Sequence, residues 1–191
     1  MRIDVYDFDG TIYDGDSTFD FVLFCLRRHP RVALSLPAIA LAGVKLALKK
    51  ISLTQFNSAL FGQMVRYFSL TDEAKLFWQD EKTKAKLGAW FYDRPRDLPI
   101  VIASASPEFE LRYAADILGV KTLIGTRCDD ATGKLIGKNC KGAEKISRIR
   151  EVMGEYTVRA MYTDDTKADG PLLEIAEEKY KITHGKMERI G

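Results

Sequence analysis

The sequence predicts an α/β fold, a doubly wound parallel sheet with an all-helical segment inserted after the first strand. Three observations predict it. Short apolar runs, Ile3–Tyr6, Leu98–Ala103 and Val158–Tyr162, are separated by helical patterns, the order expected of parallel βαβ units. Residues 15–88 read as helical throughout. Acidic or Ser-rich clusters directly follow the strand-like runs, at the edge where open α/β sheets bind ligands.

Each element has a local reason. Ile3–Tyr6 is apolar except for Asp4 and reads as a short buried strand, stopped by a Gly10-Thr11 turn. Asp14-Gly-Asp-Ser17 is a turn, and Ser17 with Asp20 has the spacing of a capping box for a helix to about Arg28. Pro30 ends that helix. Val32–Lys50 is rich in Ala and Leu and is predicted helical, with Pro37 tolerable near a first turn or at a kink. Leu53–Tyr67 places Phe56, Leu60, Met64 and Tyr67 at helical spacing. Thr71 is predicted to cap a helix to about Leu87, with Asp72 and Glu73 facing the positive end of its dipole.

The pattern then changes. Leu98–Ala103 is a continuous apolar run, as in a buried strand. Pro107–Leu118 is a helix closed by Gly119. Lys121–Thr126 and Lys134–Ile136 flank Asp-Asp-Ala-Thr-Gly and read as a hairpin. Lys141–Met153 is helical, Val158–Tyr162 a strand, Pro171–Lys179 a helix and Tyr180–Thr183 a last short strand. Residues 1–14 and 89–191 therefore make one core, and 15–88 an insertion into it.

The 191 residues, 46% hydrophobic and 29% charged, suffice for one such core and a modest insert. Net charge is only +2, and no nucleic-acid partner is expected. The charge is uneven, however. Phe21–Thr71 holds seven Lys/Arg and no Asp or Glu, which points to an anionic partner for that segment. Three widely spaced cysteines, Cys25, Cys128 and Cys140, without a leader-like N-terminus, predict free thiols in a reducing cytoplasm. Val32–Leu48 is apolar but contains Pro37, Gly43 and Lys45, at the short edge of what spans a bilayer.

Asp7-Phe-Asp-Gly-Thr11 carries the chemistry. Two carboxylates at a strand end are costly to bury without a neutraliser, and hard oxygen ligands at this spacing suit Mg²⁺. One carboxylate can then attack phosphorus while the other handles protons. Gly10 permits a sharp turn, and Thr11 adds a hydroxyl. Ser104-Ala-Ser-Pro107 follows a strand and opens a helix, where hydroxyls and free N–H groups hold phosphate. Asn139-Cys-Lys-Gly142 opens the next helix. Asp164, Asp165 and Asp169 follow another strand and repel one another unless a cation sits among them.

In this order the four clusters resemble the motifs of the haloacid dehalogenase superfamily, over the whole chain. The resemblance implies phosphohydrolase activity with Asp7 as nucleophile, Asp9 as acid/base, Ser104 and Thr11 near phosphate, and Mg²⁺ held by Asp7, Asp9, Asp165 and Asp169. Lys141, within Asn-Cys-Lys-Gly-x-x-Lys, is similar to the phosphate-holding lysine of the phosphoserine-phosphatase-like branch. Asp16 falls where that branch has an acidic substrate contact. Asp164 departs from the usual Gly-Asp-Ser-x-x-Asp; placing the motif on Asp164 would put Ala168 at the second carboxylate, so Asp165 is the expected ligand. Residues 15–88 match that branch's helical cap. Leu26-Arg-Arg-His-Pro and Asp165-Thr-Lys-x-Asp-x-Pro-Leu-Leu are similar to the phosphatidylglycerophosphatase C group, which implies a lipid phosphate substrate and an anionic membrane surface. The rival expectations are a small soluble phosphomonoester such as phosphoserine, or a phosphate-binding module without activity.

Overall fold

A computed structural model describes all 191 residues, Met1–Gly191. The chain runs through β1 (Arg2–Tyr6) into a helical segment: α1 (Ser17–Arg28), a 3-10 stretch (Pro30–Ser35), α2 (Leu36–Ala47), α3 (Leu53–Met64), α4 (Leu70–Gln79) and α5 (Glu81–Lys84). It returns through β2 (Ile100–Pro107), α6 (Glu108–Leu118), β3 (Thr122–Thr126), β4 (Cys128–Asp129), β5 (Lys134–Leu135) and α7 (Ala143–Met153). It closes with β6 (Thr157–Thr163), α8 (Gly170–Ile175), β7 (Ala176–Thr183) and β8 (Lys186–Arg189).

Six strands form one sheet in the order β3-β2-β1-β6-β7-β8, parallel except for β8. The predicted α/β sheet is thus the one the chain forms. Strand side chains alternate between faces. Ile3, Val5, Val101, Ala103 and Met161 turn to one side and pack with Ile149 of α7 and Leu172 of α8. Tyr6, Ile102 and Tyr162 turn to the other and share a core with Leu111 of α6 and Phe77 and Trp78 of α4. The helical segment is therefore built into the second core. Its two ends are stitched together where Gly88 N–H donates to the Ile12 carbonyl at 2.7 Å and Asp14 N–H to that of Lys86 at 2.9 Å.

Asp4, the one polar residue in β1, is 1% exposed and is neutralised by Arg159, whose Nε donates to Oδ1 at 2.8 Å. Tyr6, Tyr162 and Tyr180 stack in a ladder across three strands, with ring centroids 4.3 and 4.7 Å apart.

Several local expectations are corrected. Asp16, not Ser17, caps α1, its side chain accepting the Phe19 N–H; Ser69, not Thr71, caps α4. In both, the acceptor side chain lies just before the first helical N–H groups, which is what capping requires. Lys121–Thr126 is not a hairpin arm. β3 lies parallel to β2, and β4 and β5 make the hairpin separately, because an apolar run specifies a strand but not its partner. The predicted Pro171–Lys179 helix ends at Ile175, and Ala176–Thr183 is a long strand beside β6. Pairing along β6 overrides the local helical pattern there. Pro37 occupies the first turn of α2.

Candidate active site

The site begins where β1 stops. Asp7 N–H still donates to the Tyr162 carbonyl at 2.9 Å, so Asp7 is held at the carboxyl edge of the sheet. The Phe8 carbonyl then accepts N–H groups from Thr11, Ile12 and Tyr13, which turns the chain sharply. Gly10 sits at φ +71°, and a Cβ there would lie 2.2 Å from Asp164 Oδ2. Glycine is required for both reasons.

Asp9 is held at both oxygens. Oδ1 accepts the Ser17 N–H at 2.7 Å, and Oδ2 accepts the Ser106 hydroxyl at 2.6 Å, with the Ser104 hydroxyl at 3.4 Å. Burial pushes this carboxyl above its ordinary range, and the Ser106 and Ser17 hydrogen bonds work against that rise.

Lys145 lies in the first turns of α7, after Gly142 at φ +60°. Its side chain is 3% exposed, and Nζ stands 2.7 Å from both Asp7 Oδ1 and Asp169 Oδ1. Burial raises the Asp7 carboxyl to about 7; Lys145 pulls it down, and the Asp169 charge pushes it up. Burial opposes the Lys145 ammonium, but the two carboxylates outweigh it, and it stays charged above its usual range.

The last cluster closes the ring. Thr163 donates its hydroxyl to Asp169 Oδ2 at 2.8 Å. Asp165 Oδ1 accepts N–H groups from Ala168 and Lys167; the Ala168 bond leads in holding its carboxyl below the ordinary range. Together these groups line a cavity of about 470 Å³, which contains Asp7, Asp9, Asp16, Ser104, Lys141, Lys145, Asp164, Asp165 and Asp169. Six aspartates face two lysines there, and the donors are oxygens with no His or Cys. That excess of hard anionic oxygen fits Mg²⁺. No three of these carboxylates converge on one point.

Residues 5–174 match the family model of the haloacid dehalogenase-like hydrolases. The chain belongs to that family. It is also 33% identical over 199 positions to protein CicA of Caulobacter vibrioides, spanning 95% of this chain and 86% of that protein. Two solved structures share the fold. One is a protein of unknown function from Bordetella pertussis Tohama I, at TM-score 0.71 and 20% identity, with 91% and 86% of the two chains covered. The other is a phosphoserine phosphohydrolase-like protein from Francisella tularensis, at 0.59 and 16%, with 94% and 86% covered. The protein is thus a haloacid dehalogenase-like hydrolase.

Within this haloacid dehalogenase-like site, Asp7, Asp9, Asp16, Ser104, Lys141, Asp165 and Asp169 all line the one cavity, and Thr11 does not. Thr11 is 3% exposed; its hydroxyl accepts the Asp164 N–H at 2.9 Å and so pins the acidic loop instead of meeting phosphate. Lys145, four residues on, makes the ion pairs with Asp7 and Asp169, while Lys141 stays exposed at the rim. Asp169 accepts the Thr163 hydroxyl at Oδ2 and stands 2.7 Å from Lys145 Nζ at Oδ1, on the wall of the same cavity. Neither Lys145 nor Ser106 is singled out by the sequence pattern. The second lysine of Asn-Cys-Lys-Gly-x-x-Lys and the Ser-x-Ser spacing, which puts both hydroxyls on one strand face, were the available signals.

A second hollow, about 490 Å³, adjoins the first and shares Asp9, Asp16 and Ala105 with it. Its walls are apolar, with Phe19, Val22, Ile39, Phe56 and Leu60 contributed by the helical segment. Beyond it, α2 and the residues flanking it leave Leu34, Leu41, Val44 and Leu48 exposed by 77, 57, 55 and 61%. Pro30–Ala47 is long and apolar enough to cross a membrane by length and composition, with 17% of it buried.

Proposed function

We propose that this hydrolase is a Mg²⁺-dependent phosphomonoesterase that works through an aspartyl-phosphate on Asp7. The observation that carries the reading is Asp7 itself, held against buried Lys145 at the wall of an open cavity, with Asp9 fixed two residues away. Asp7 attacks phosphorus in line, and the bond to the ester oxygen breaks as Asp9 gives that oxygen a proton. Asp9 then takes a proton from water, which attacks the phosphoryl group and frees Asp7 and inorganic phosphate. Lys145, Lys141 and Ser104 face the non-bridging oxygens, where charge must be stabilised. Mg²⁺, held by Asp7, the Asp9 carbonyl and Asp165, would offset the repulsion between phosphate and carboxylate. Hydrolysis of alkyl and aryl phosphates with Mg²⁺, its loss in EDTA, and trapping of Asp7 with fluoroberyllate test the reading. Turnover that survives EDTA but is lost to a zinc-selective chelator overturns the metal assignment.

Residues 15–88 act as a cap over the core formed by 1–14 and 89–191, and the substrate is a lipid phosphate such as phosphatidylglycerophosphate. The apolar hollow beside Asp9 supports this, since its only charged lining residues are Asp9 and Asp16 and neither pairs with an amino-acid carboxylate. An anionic membrane surface is the site of action. The stripe Leu34, Leu41, Val44 and Leu48, with Arg27 and Arg31 at one end and Lys45, Lys49 and Lys50 at the other, suits the headgroup region. Each cation there contributes about 1 kcal/mol. The protein should float with phosphatidylglycerol vesicles, less so in high salt or as R27S/R28S/R31S. Solubility beside such vesicles with a preference for phosphoserine overturns the lipid and membrane assignments and leaves the phosphatase.

A further inference from the structure

Glu110, in the first turn of α6, is fully buried and has no role in the reaction above. The titratable groups facing it are Asp9, Tyr13 and Asp16 from the loop after β1 and Cys25 from α1. Helix α4 supplies Trp78, whose Nε1 donates to the Glu110 backbone carbonyl at 2.7 Å. No Lys, Arg or His is paired with it.

Its carboxyl ends a chain of hydroxyls that leads to Asp9. Ser106 Oγ lies 2.6 Å from Asp9 Oδ2, Thr18 Oγ1 lies 3.0 Å from Ser106 Oγ, and Glu110 Oε2 lies 2.8 Å from Thr18 Oγ1. Each hydroxyl has one hydrogen. Three contacts need three hydrogens, and Ser106 and Thr18 supply two. With Asp9 as the ionised carboxylate that accepts from Ser106, the third belongs on Glu110. An ionised Glu110 would leave two oxygens facing each other with no hydrogen between them.

We propose that Glu110 is a positioning residue, a buried neutral carboxylic acid that donates to Thr18, which donates to Ser106, which donates to Asp9. The ladder holds the Asp9 carboxylate in one orientation for proton transfer at the ester oxygen, and so it rests on the reading of Asp9 as acid/base. Burial supports it: desolvation raises the Glu110 carboxyl well above its ordinary range and the Asp9 charge adds to that rise, outweighing the Thr18 and Ser17 hydroxyls, which favour the ionised form.

The test uses the Mg²⁺-loaded enzyme and two substrates, an alkyl phosphate with a basic leaving oxygen and p-nitrophenyl phosphate with a weakly basic one. General acid catalysis contributes roughly 10²–10⁴-fold, so a misaimed Asp9 should cost kcat/KM on the alkyl ester, which reports departure of the leaving group as the aspartyl-phosphate forms, about 10-fold or more. The aryl ester, whose leaving group needs little help from a proton, should lose far less. E110M and T18V should show this same selective loss, and E110M/T18V should be no worse than either, because one ladder is broken once. E110Q, whose amide can still donate to Thr18, should recover most of the alkyl rate. Infrared difference spectra of wild type against E110Q at pH 8 should show a carboxylic acid band. Equal loss on both esters, additive losses in the double variant, or no acid band overturns the assignment. The band needs no turnover. A wild type inactive on both esters with the band present refutes the hydrolytic reading alone, and an active wild type without it refutes the ladder alone.

Discussion

Exchange of Lys145 for methionine separates the two lysines of the Asn139-Cys-Lys-Gly-x-x-Lys run. The Lys145 side chain is 3% exposed and lies 2.7 Å from carboxylates that are themselves 13% and 2% exposed. Methionine keeps most of its length, lacks the terminal ammonium and leaves both charges in a dry site. Removing one partner of a buried ion pair costs about 3–5 kcal/mol, or a fall in Tm of about 6–20 °C for a chain of this size. The exposed Lys141 makes no ion pair, and K141M should stay within about 0.5 kcal/mol of wild type. The sign with pH follows from the carboxyls. Without the ammonium, Asp7 faces the Asp169 charge uncompensated, its folded pKa rises, and the folded state holds a proton that the unfolded chain releases. The K145M deficit is therefore largest at high pH and shrinks as pH falls towards the ordinary carboxylate range. Urea melts at pH 5 and pH 8, with and without Mg²⁺, measure it, and the cation should restore part of the loss. A K145M protein within about 1 kcal/mol of wild type at pH 8, or a K141M protein that is the less stable of the two, refutes the assignment of Lys145 as the buried counter-ion.

Other outcomes follow from the same geometry. Asp7→Asn should abolish Mg²⁺-dependent hydrolysis of an aryl phosphate; wild-type-like turnover would remove Asp7 as nucleophile. D7N should also melt higher than wild type at pH 8 in EDTA, since a carboxyl raised to about 7 takes stability away as pH climbs from the ordinary value of 3.8 to that point. Gly10→Ala should destabilise by at least about 1 kcal/mol, from its left-handed φ and the collision with Asp164, and thermal melts should show a weaker response to Mg²⁺. Arg159→Met should cost about 3–5 kcal/mol by leaving Asp4 buried and unpaired, and a urea melt with kcat unmoved would show that this pair serves the fold alone.

Much of the molecule is legible in the residues themselves. Runs such as Ile3–Tyr6 and Val158–Tyr162 have the length and composition of buried strands, and their alternation with helical patterns implies parallel pairing. The helical character of 17–84 follows from apolar spacing, and the Asp7-x-Asp9-Gly10 cluster follows a strand, which aims it at the sheet's ligand edge. These features depend on neighbours a few positions apart. The helix ends were less legible, because Asp16 and Ser17, or Ser69 and Thr71, are all competent caps and the choice depends on where the chain enters the helix.

What the sequence by itself determined, then, is the order of the elements and the residue types that reach the carboxyl edge of the sheet. Only the tertiary structure decided which of those side chains are buried and what they meet. Lys141 and Lys145 are one turn apart and chemically alike, yet Lys145 reaches Asp7 across 138 positions of sequence. Thr11 reaches Asp164 across 153 and Ser106 reaches Asp9 across 97. The physical reason is that local pattern acts through backbone preference and periodicity over a few residues. Burial of a charge depends instead on the packing of α7 against the sheet and on the partner that arrives from the far end of the chain.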